Sequence, residues 1–209
     1  MYTLHYSPGT ASMVVHMALI ETGAPFELNK LDIEQGAQRD PAYLALNPRG
    51  VVPTLVIDGR PRHESAALLM MLADRHPAAG LAPAAGSPER EAFEQWLVYL
   101  SNTLMSTYRF WFYPPDLGSA EHPPQVRAAL AAKIEGVWDY LDRELASNGP
   151  YLLGEHFSAI DLLLAMLMRW SRNMPRPASQ WPALARLADL IRARPSWQQV
   201  YAVEDLSGW

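Results

Sequence analysis

The segment Tyr6-Ser7-Pro8-Gly9-Thr10-Ala11-Ser12 lies between a predicted strand and a predicted helix. Over residues 2–6, apolar and aromatic residues alternate with polar ones, which is typical of a half-buried strand. The Pro-Gly pair ends that strand, and apolar residues at helical spacing follow the segment. A strand-to-helix turn presents backbone N–H groups at a helix N-terminus, where anions bind. The segment therefore predicts an anion-binding turn that also carries the three hydroxyl groups of Ser7, Thr10 and Ser12.

The residues after this turn predict a βαβ unit, a β-hairpin and a third helix. Residues 26–31 indicate a second strand, which a right-handed crossover would place parallel to the first. Residues 51–57 indicate a third strand, although Pro53 near its start cannot donate to the ladder, and Asp58-Gly59 is a strong hairpin signal. Ser65 is predicted as the N-cap of the next helix.

The remainder of the chain is predicted to be helical. Residues 78–87 are rich in Ala, Pro and Gly and indicate a linker. An apolar stripe then predicts a long helix that continues to about Phe112, where two prolines stop it. Ser158 and Asp161 have the spacing of a capping box, so we expect a structural role for this acid at the start of a buried helix.

Composition excludes several functional classes. The 209 residues carry a net charge of −5 without a basic cluster, which argues against nucleic acid and anionic membranes as partners. Apolar runs such as Leu162 to Met168 are too short to span a bilayer. The absence of cysteine excludes disulfides, thiolate metal sites and cysteine nucleophiles. The six histidines show no metal-ligand spacing, and no secretory signal is visible, so we expect no metal and a cytoplasmic location.

These motifs, taken in order, resemble the glutathione transferases. The βαβ–ββα succession with Val52-Pro53 and Glu64-Ser65 resembles their thioredoxin-like domain, and the segment 6–12 is similar to their bacterial beta class. The resemblance covers essentially the whole chain. It implies an α/β domain followed by an all-α domain, and a homodimer. The implied domains are a thioredoxin-like glutathione-binding domain at 1–77, a linker at 78–87 and an all-helical domain at 88–209 on the hydrophobic-substrate side.

The resemblance also assigns the glutathione contacts. Val52 would offer its backbone N–H and C=O to the cysteinyl part of glutathione, beside a cis Pro53. Glu64 would accept from the α-ammonium group of the γ-glutamyl end. Ser65, at a helix N-terminus, would donate to the α-carboxylate, where the helix dipole favours negative charge. Glutathione would then be a co-substrate.

Two departures from the beta class limit the chemistry. Ala11 stands where that class usually has Cys, and Met105 stands where it tends to have His. A mixed disulfide with glutathione is impossible because the chain has no cysteine. The remaining chemistry is activation of the thiol of glutathione itself, which at an ordinary pKa is only about 3% ionised at pH 7. The candidate hydroxyl donors are Ser12 first, then Thr10, with Tyr6 as an alternative.

The sequence therefore predicts a glutathione transferase whose activated thiolate attacks a hydrophobic electrophile. Met105, Tyr108, Arg109 and Trp111 are predicted to contact that electrophile, which the sequence does not name. Two alternatives follow from the missing side chains: a non-catalytic protein that binds glutathione or hydrophobic ligands, and a protein-interaction module of the same fold.

Overall fold

The computed structural model describes residues 1–209, which pack as two compact units. The first unit contains Met1–Ala85 together with Arg192–Gly208, and the second contains Gly86–Ile191 and Trp209. The last helical segment thus packs with the first unit, although the sequence placed everything from residue 88 onward in one helical domain. No helix combines the length and the apolar character that crossing a membrane requires.

The first unit is built on a mixed four-stranded sheet. Its strands are β1 (Tyr2–Tyr6), β2 (Phe26–Lys30), β3 (Thr54–Ile57) and β4 (Arg60–Arg62). They are arranged in the order β2-β1-β3-β4, with β1 and β2 parallel and the other two pairs antiparallel. The helices of this unit are α1 (Ser12–Thr22), α2 (Pro41–Leu44), α3 (Ser65–Arg75) and, from the end of the chain, α9 (Pro195–Val203). The predicted βαβ–ββα thioredoxin-like domain is confirmed.

Helix α1 is the centre of this unit. Residues 12–19 are all buried, because α3 packs against α1 and α9 packs against it as well. A helix that is apolar on every side requires such enclosure. Gly23 ends α1 with φ at 66°, a left-handed conformation that glycine adopts without steric cost. The turn that precedes α1 is consequently attached to the most enclosed element of the unit.

The second unit is helical, as predicted. Its helices are α4 (Pro88–Tyr99), α5 (Ser106–Phe112), α6 (Pro124–Asn148), α7 (Ala159–Trp170) and α8 (Pro182–Arg192), of which α8 ends at the boundary between the units. The long helix expected up to Phe112 is interrupted by a π-helical stretch, Leu100–Met105, between α4 and α5. Helix α7 is buried from Ala159 to Arg169, and the predicted capping box of Ser158 and Asp161 is present at its start.

His5 on β1 makes the stability of the first unit sensitive to acid. Its side chain is buried, Nδ1 has no hydrogen-bond partner, and burial lowers the pKa of the imidazole below its usual value. In the unfolded chain His5 binds a proton near pH 6.5, whereas in the folded chain it binds one only at lower pH. The contribution of neutral His5 to the unfolding free energy is therefore complete above pH 6.5 and is lost as the pH falls below that value.

We expect His5→Phe, which keeps a ring against Tyr43, to reduce the dependence of the unfolding free energy on pH between 6.5 and 5. The slope should decrease by less than about 1.4 kcal/mol per pH unit, the value for one full proton. Urea unfolding at a series of pH values measures it. His156→Gln, at an exposed histidine, should retain the wild-type slope. Equal slopes for His5→Phe and the wild type would contradict the assignment.

Candidate functional site

The turn between β1 and α1 is closed by its own hydroxyl groups. The hydroxyl of Ser12 donates to the carbonyl oxygen of Ser7 at 3.0 Å and accepts from the Ser7 N–H at 3.2 Å. The hydroxyl of Thr10 donates to the same carbonyl oxygen at 2.7 Å and lies 2.9 Å from the Ser12 hydroxyl. Ser7, Thr10 and Ser12 therefore form one local network, in which Ser7 takes part through its backbone.

The two hydroxyl groups that are candidates for contacting the thiol, those of Ser12 and Thr10, belong to side chains that differ in exposure. Ser12 is completely buried, whereas Thr10 retains accessible surface. The carbonyl oxygen of Ser7 is within hydrogen-bonding distance of three donors, which are both hydroxyls and the Thr10 N–H. A carbonyl oxygen has only two lone pairs. Thr10, which retains accessible surface, is thus the residue whose hydroxyl can turn to another acceptor while Ser12 holds the turn.

Ala11 links this turn to the start of α3. It is the N-cap residue of α1, and its carbonyl oxygen accepts a hydrogen bond from the Ser65 hydroxyl at 3.0 Å. The backbone N–H of Ala11 has no partner in the protein. The predicted N-cap role of Ser65 is wrong: Ser65 is the first residue of α3, and Glu64 occupies the N-cap position. The Ser65 hydroxyl reaches the turn before α1 instead of folding back on its own helix.

Val52 leaves both of its backbone groups unpaired. The Val52–Pro53 peptide bond is cis, as the resemblance implied, and β3 begins only at Thr54. Neither the N–H nor the C=O of Val52 makes a hydrogen bond within the protein. The preceding carbonyl, that of Val51, is fixed by the Tyr43 hydroxyl at 2.6 Å and by the Asn47 amide at 2.8 Å. Because both donors are buried, their hydrogen bonds hold this segment in place.

Glu64 adopts a backbone conformation that is unusual for a side-chain-bearing residue. Its φ is 68° and its ψ is 108°, outside the regions favoured by L-amino acids. Such strain tends to occur at functional sites, where the surrounding structure maintains it. The carboxylate is exposed and forms an ion pair with the Arg49 guanidinium. The backbone N–H of Ser65 follows directly and has no partner, as expected for the first turn of a helix.

Glu204 contacts the turn between β1 and α1, a contact that the sequence did not predict. Its buried carboxylate accepts from the Gly9 N–H at 2.8 Å and lies 2.8 Å from Nδ1 of His16 on α1. Burial, followed by the charge of Glu204, raises the pKa of Tyr6, so this phenol stays protonated. Gly9 and Glu204 are 195 positions apart, and no local pattern connects them. The end of the chain therefore braces the turn that precedes α1.

The four residues expected to contact an electrophile have different environments in the second unit. Tyr108 is fully buried between Phe112, which stacks on it, and the edge of Trp170, and burial raises its pKa. Trp111 is also buried, Met105 is half-buried and Arg109 is exposed. Arg109 is engaged locally, because its guanidinium donates to Asp116 and lies 3.8 Å from the centre of the Tyr113 ring. The structure does not bring these four side chains together on one accessible surface.

Comparison with known proteins identifies the family. Models of the glutathione S-transferase N-terminal and C-terminal domains match residues 10–75 and 124–202. A solved structure of a sphingomonad glutathione S-transferase complexed with glutathione is 32% identical, with a TM-score of 0.87, over 98% of this chain and 100% of that chain. The chain belongs to the glutathione S-transferase family. No three His, Cys, Asp or Glu side chains of this transferase-family protein lie together as a metal site requires.

Further relatives in this transferase family match over nearly their whole length. A bacterial beta class glutathione S-transferase from Sphingomonas chungbukensis is 30% identical, with a TM-score of 0.87, over 98% of this chain and 100% of that one. Glutathione S-transferase GstA of Escherichia coli O157:H7 is 29% identical over 97% of this chain and 98% of its own. The predicted similarity to the beta class is thereby confirmed.

Proposed function

We propose that this protein binds glutathione in its first compact unit and activates the bound thiol for attack on a hydrophobic electrophile. The main support is Val52, whose backbone N–H and C=O are both unpaired beside the cis proline. A peptide can pair with such a segment as one strand pairs with another, so the cysteinyl residue of glutathione is a suitable occupant. Solved relatives from a sphingomonad and from Sulfitobacter contain bound glutathione.

The γ-glutamyl end is assigned to the start of α3. The unpaired Ser65 N–H and the positive end of the helix dipole favour the α-carboxylate. The exposed carboxylate of Glu64 is suited to accept from the α-ammonium. Because the Ser65 hydroxyl also donates to Ala11, this end of the ligand site is attached to the turn assigned to the thiol.

The thiolate is assigned to the Thr10 hydroxyl and the Ala11 N–H. Of the two hydroxyls that the sequence suggested, Thr10 keeps accessible surface, and the fully buried Ser12 supports the turn. Each unit by which these donors lower the pKa of the thiol requires about 1.4 kcal/mol of preferential thiolate stabilisation. The thiol proton leaves to solvent, the sulfur forms a bond to an electrophilic carbon, and the leaving group departs with the electrons of its own bond.

The electrophile is assigned to the second unit. Met105 and Arg109 retain accessible surface there, whereas Tyr108 and Trp111 are buried. We include in the proposal the homodimer, which the family resemblance implies, and the cytoplasmic location, which the sequence predicts. Sedimentation of the purified protein measures the first of these.

Glu64→Gln is expected to weaken glutathione binding about tenfold, because the neutral amide loses a charge-assisted hydrogen bond to the α-ammonium. Calorimetric titration with glutathione measures this change. Glu34→Gln removes an equal charge at another exposed glutamate of the same unit and should bind like the wild type. Similar affinities for Glu64→Gln and wild type would refute the assigned contact.

Conjugation of 1-chloro-2,4-dinitrobenzene by the wild-type protein tests the proposal as a whole. Turnover that saturates with glutathione is the expected result. If the protein binds glutathione but turns over no activated aryl halide, the proposal is wrong and the protein is a non-catalytic binding protein. This alternative follows from Ala11, which stands where the beta class usually has Cys. Failure to bind glutathione at millimolar concentration would favour the protein-interaction module.

A further inference from the structure

A groove of about 300 Å³ lies in the second unit, between α4, the end of α6 and the loop that precedes α7. A groove of this volume is at the small end of the range for small-molecule sites. Residues four or seven positions apart share one face of a helix, so α4 and α6 each turn one face toward the groove. The lining includes Glu89 and Trp96 of α4, Glu144 and Asn148 of α6, and Leu152 and Leu153 of the loop.

The groove carries two carboxylates that the protein does not neutralise. Glu89 and Glu144 make no ion pair, and no lysine or arginine lines the groove. Arg90, the arginine next to Glu89 on α4, is buried and donates to Glu94 at 2.8 Å. Hydrogen bonds from its own backbone N–H and from the Ser87 hydroxyl lower the pKa of Glu89, so this carboxylate is ionised at neutral pH. The groove is therefore an acidic site without an internal counter-charge.

Trp96 supplies a hydrogen-bond donor that the protein also leaves unused. The residue is only 8% exposed, yet its indole N–H donates to no group of the protein. Its ring is held by Tyr99, which meets it edge-on, and by Tyr140, both with ring centroids 5.8 Å away. A buried indole N–H usually has a partner, as in Trp181, which donates to Asp139 at 2.7 Å. The unused donor of Trp96 thus belongs to a residue that lines the groove.

The loop beside the two helices supplies apolar surface and is itself held in place. Leu152 is buried and Leu153 is half-buried. The Leu152 N–H donates to the Asp161 carboxylate at 3.0 Å, and Leu153 forms an isolated β-bridge with His156. Small-molecule sites are usually preformed, with apolar walls and a few polar groups that orient the ligand. The groove has this composition, with two acceptors for a cation and one free donor.

We propose that this groove binds a small α-amino amide, an organic cation with an ammonium group, an uncharged carbonyl oxygen and an apolar side chain. The ammonium group has three donors and is suited to the carboxylates of Glu89 and Glu144. The carbonyl oxygen accepts from the Trp96 indole N–H. The apolar side chain packs against Leu152 and Leu153. The site extends beyond the proposed transferase function and shares no residue with the glutathione and electrophile contacts assigned above.

Calorimetric titration of the full-length protein at pH 7 without glutathione tests the proposal, so its failure is distinguishable from failure of conjugation. L-Leucinamide should bind about fivefold more tightly than N-acetyl-L-leucinamide, which has no charge. This preference should decrease as salt is raised from 50 to 500 mM. 3-Methylbutylamine, which lacks the carbonyl group, should bind about three- to tenfold more weakly than leucinamide. Equal affinities for leucinamide and its acetylated form, or no binding of leucinamide at millimolar concentration, would overturn the proposal.

The two carboxylates also distinguish an organic cation from a metal ion. A metal ion is the poorer occupant, because no three His, Cys, Asp or Glu side chains lie together here. Millimolar Ca²⁺ should therefore displace leucinamide no better than Na⁺ at equal ionic strength. Selective displacement by Ca²⁺ would assign the groove to a metal ion and would contradict the proposal.

Two variants locate the site through ratios of affinity. Glu144→Gln, at a half-buried residue, should remove most of the preference for leucinamide over its acetylated form. Glu91→Gln is the matched control, since Glu91 is an exposed acid of α4 that makes no ion pair and lies outside the groove. Trp96→Phe keeps an aromatic ring but no N–H, so leucinamide and 3-methylbutylamine should then bind equally. A preference that survives Glu144→Gln, or a carbonyl advantage that survives Trp96→Phe, would refute the assigned contacts.

Discussion

Replacement of Thr10 by valine is expected to raise the pKa of the glutathione thiol bound to this protein and to lower kcat/KM for an activated aryl halide about ten- to hundredfold. Valine has the same shape as threonine but cannot donate a hydrogen bond. A hydrogen bond to an ionised group contributes about 1.5–3 kcal/mol, which corresponds to this range of rates. The thiolate absorbance of bound glutathione, followed against pH, measures the pKa directly, and the pH–rate profile should shift in parallel.

The Thr10 prediction separates catalysis from support of the turn. Thr10→Ser restores the hydroxyl and should recover most of the activity. Ser12→Ala removes a hydroxyl that is completely buried in the turn, so its main effect should be a lower unfolding free energy. A thiol pKa that is unchanged by Thr10→Val and raised by Ser12→Ala would reverse the assignment. If neither substitution changes it, the Ala11 N–H and the helix dipole are left as the stabilising groups.

The fold could be predicted from local sequence signals because each of them specifies one element. Alternation over β1, the apolar run of β3 and the Asp58-Gly59 turn are patterns of backbone geometry and burial that act over a few residues. Asp58 and Gly59 have φ values of 51° and 78°, as a tight hairpin turn requires. The order of these elements then restricts the topology, since a βαβ crossover is right-handed.

The details of the site depend on contacts between distant residues, and these have no local signal. Glu204 reaches Gly9 only because α9 packs against α1, and Ser65 reaches Ala11 only because α3 packs there as well. The sequence suggests a hydroxyl near the thiol, but it does not distinguish Thr10 from Ser12. That distinction comes from the exposure of each side chain, which depends on the packing of the entire unit.

In the second unit, too, local spacing could be predicted from the sequence but contacts between distant residues could not. Ser158 and Asp161 were recognisable because a capping box has a fixed spacing. Tyr108 and Trp111 were recognisable as aromatic, but their burial was not, because the π-helical stretch before α5 changes which residues face the core. Arg127 lies 16 positions after Trp111 and pairs with it through the packing of α5 against α6.

Asp161→Ala is expected to cause the largest loss of stability. One carboxylate oxygen of Asp161 accepts from the Leu152 N–H at 3.0 Å, and the other accepts from the Ser158 N–H at 2.8 Å. Asp161 has no exposed surface, so water cannot replace it. Two buried N–H groups without acceptors, together with the lost cap, should reduce the unfolding free energy by about 3–5 kcal/mol.

The chain contains a matched control for this substitution. Asp32 also accepts two backbone N–H groups, those of Glu34 and Gln35, both at 3.1 Å, but it is exposed. Asp32→Ala should therefore cost about 1 kcal/mol or less, since water takes the place of the carboxylate. Asp161→Asn, which keeps one acceptor oxygen, should fall between the two in urea unfolding. The Asp161 carboxylate joins the loop at Leu152 to the first turn of α7. Similar losses of unfolding free energy for Asp161→Ala and Asp32→Ala would mean that burial does not determine the strength of this cap.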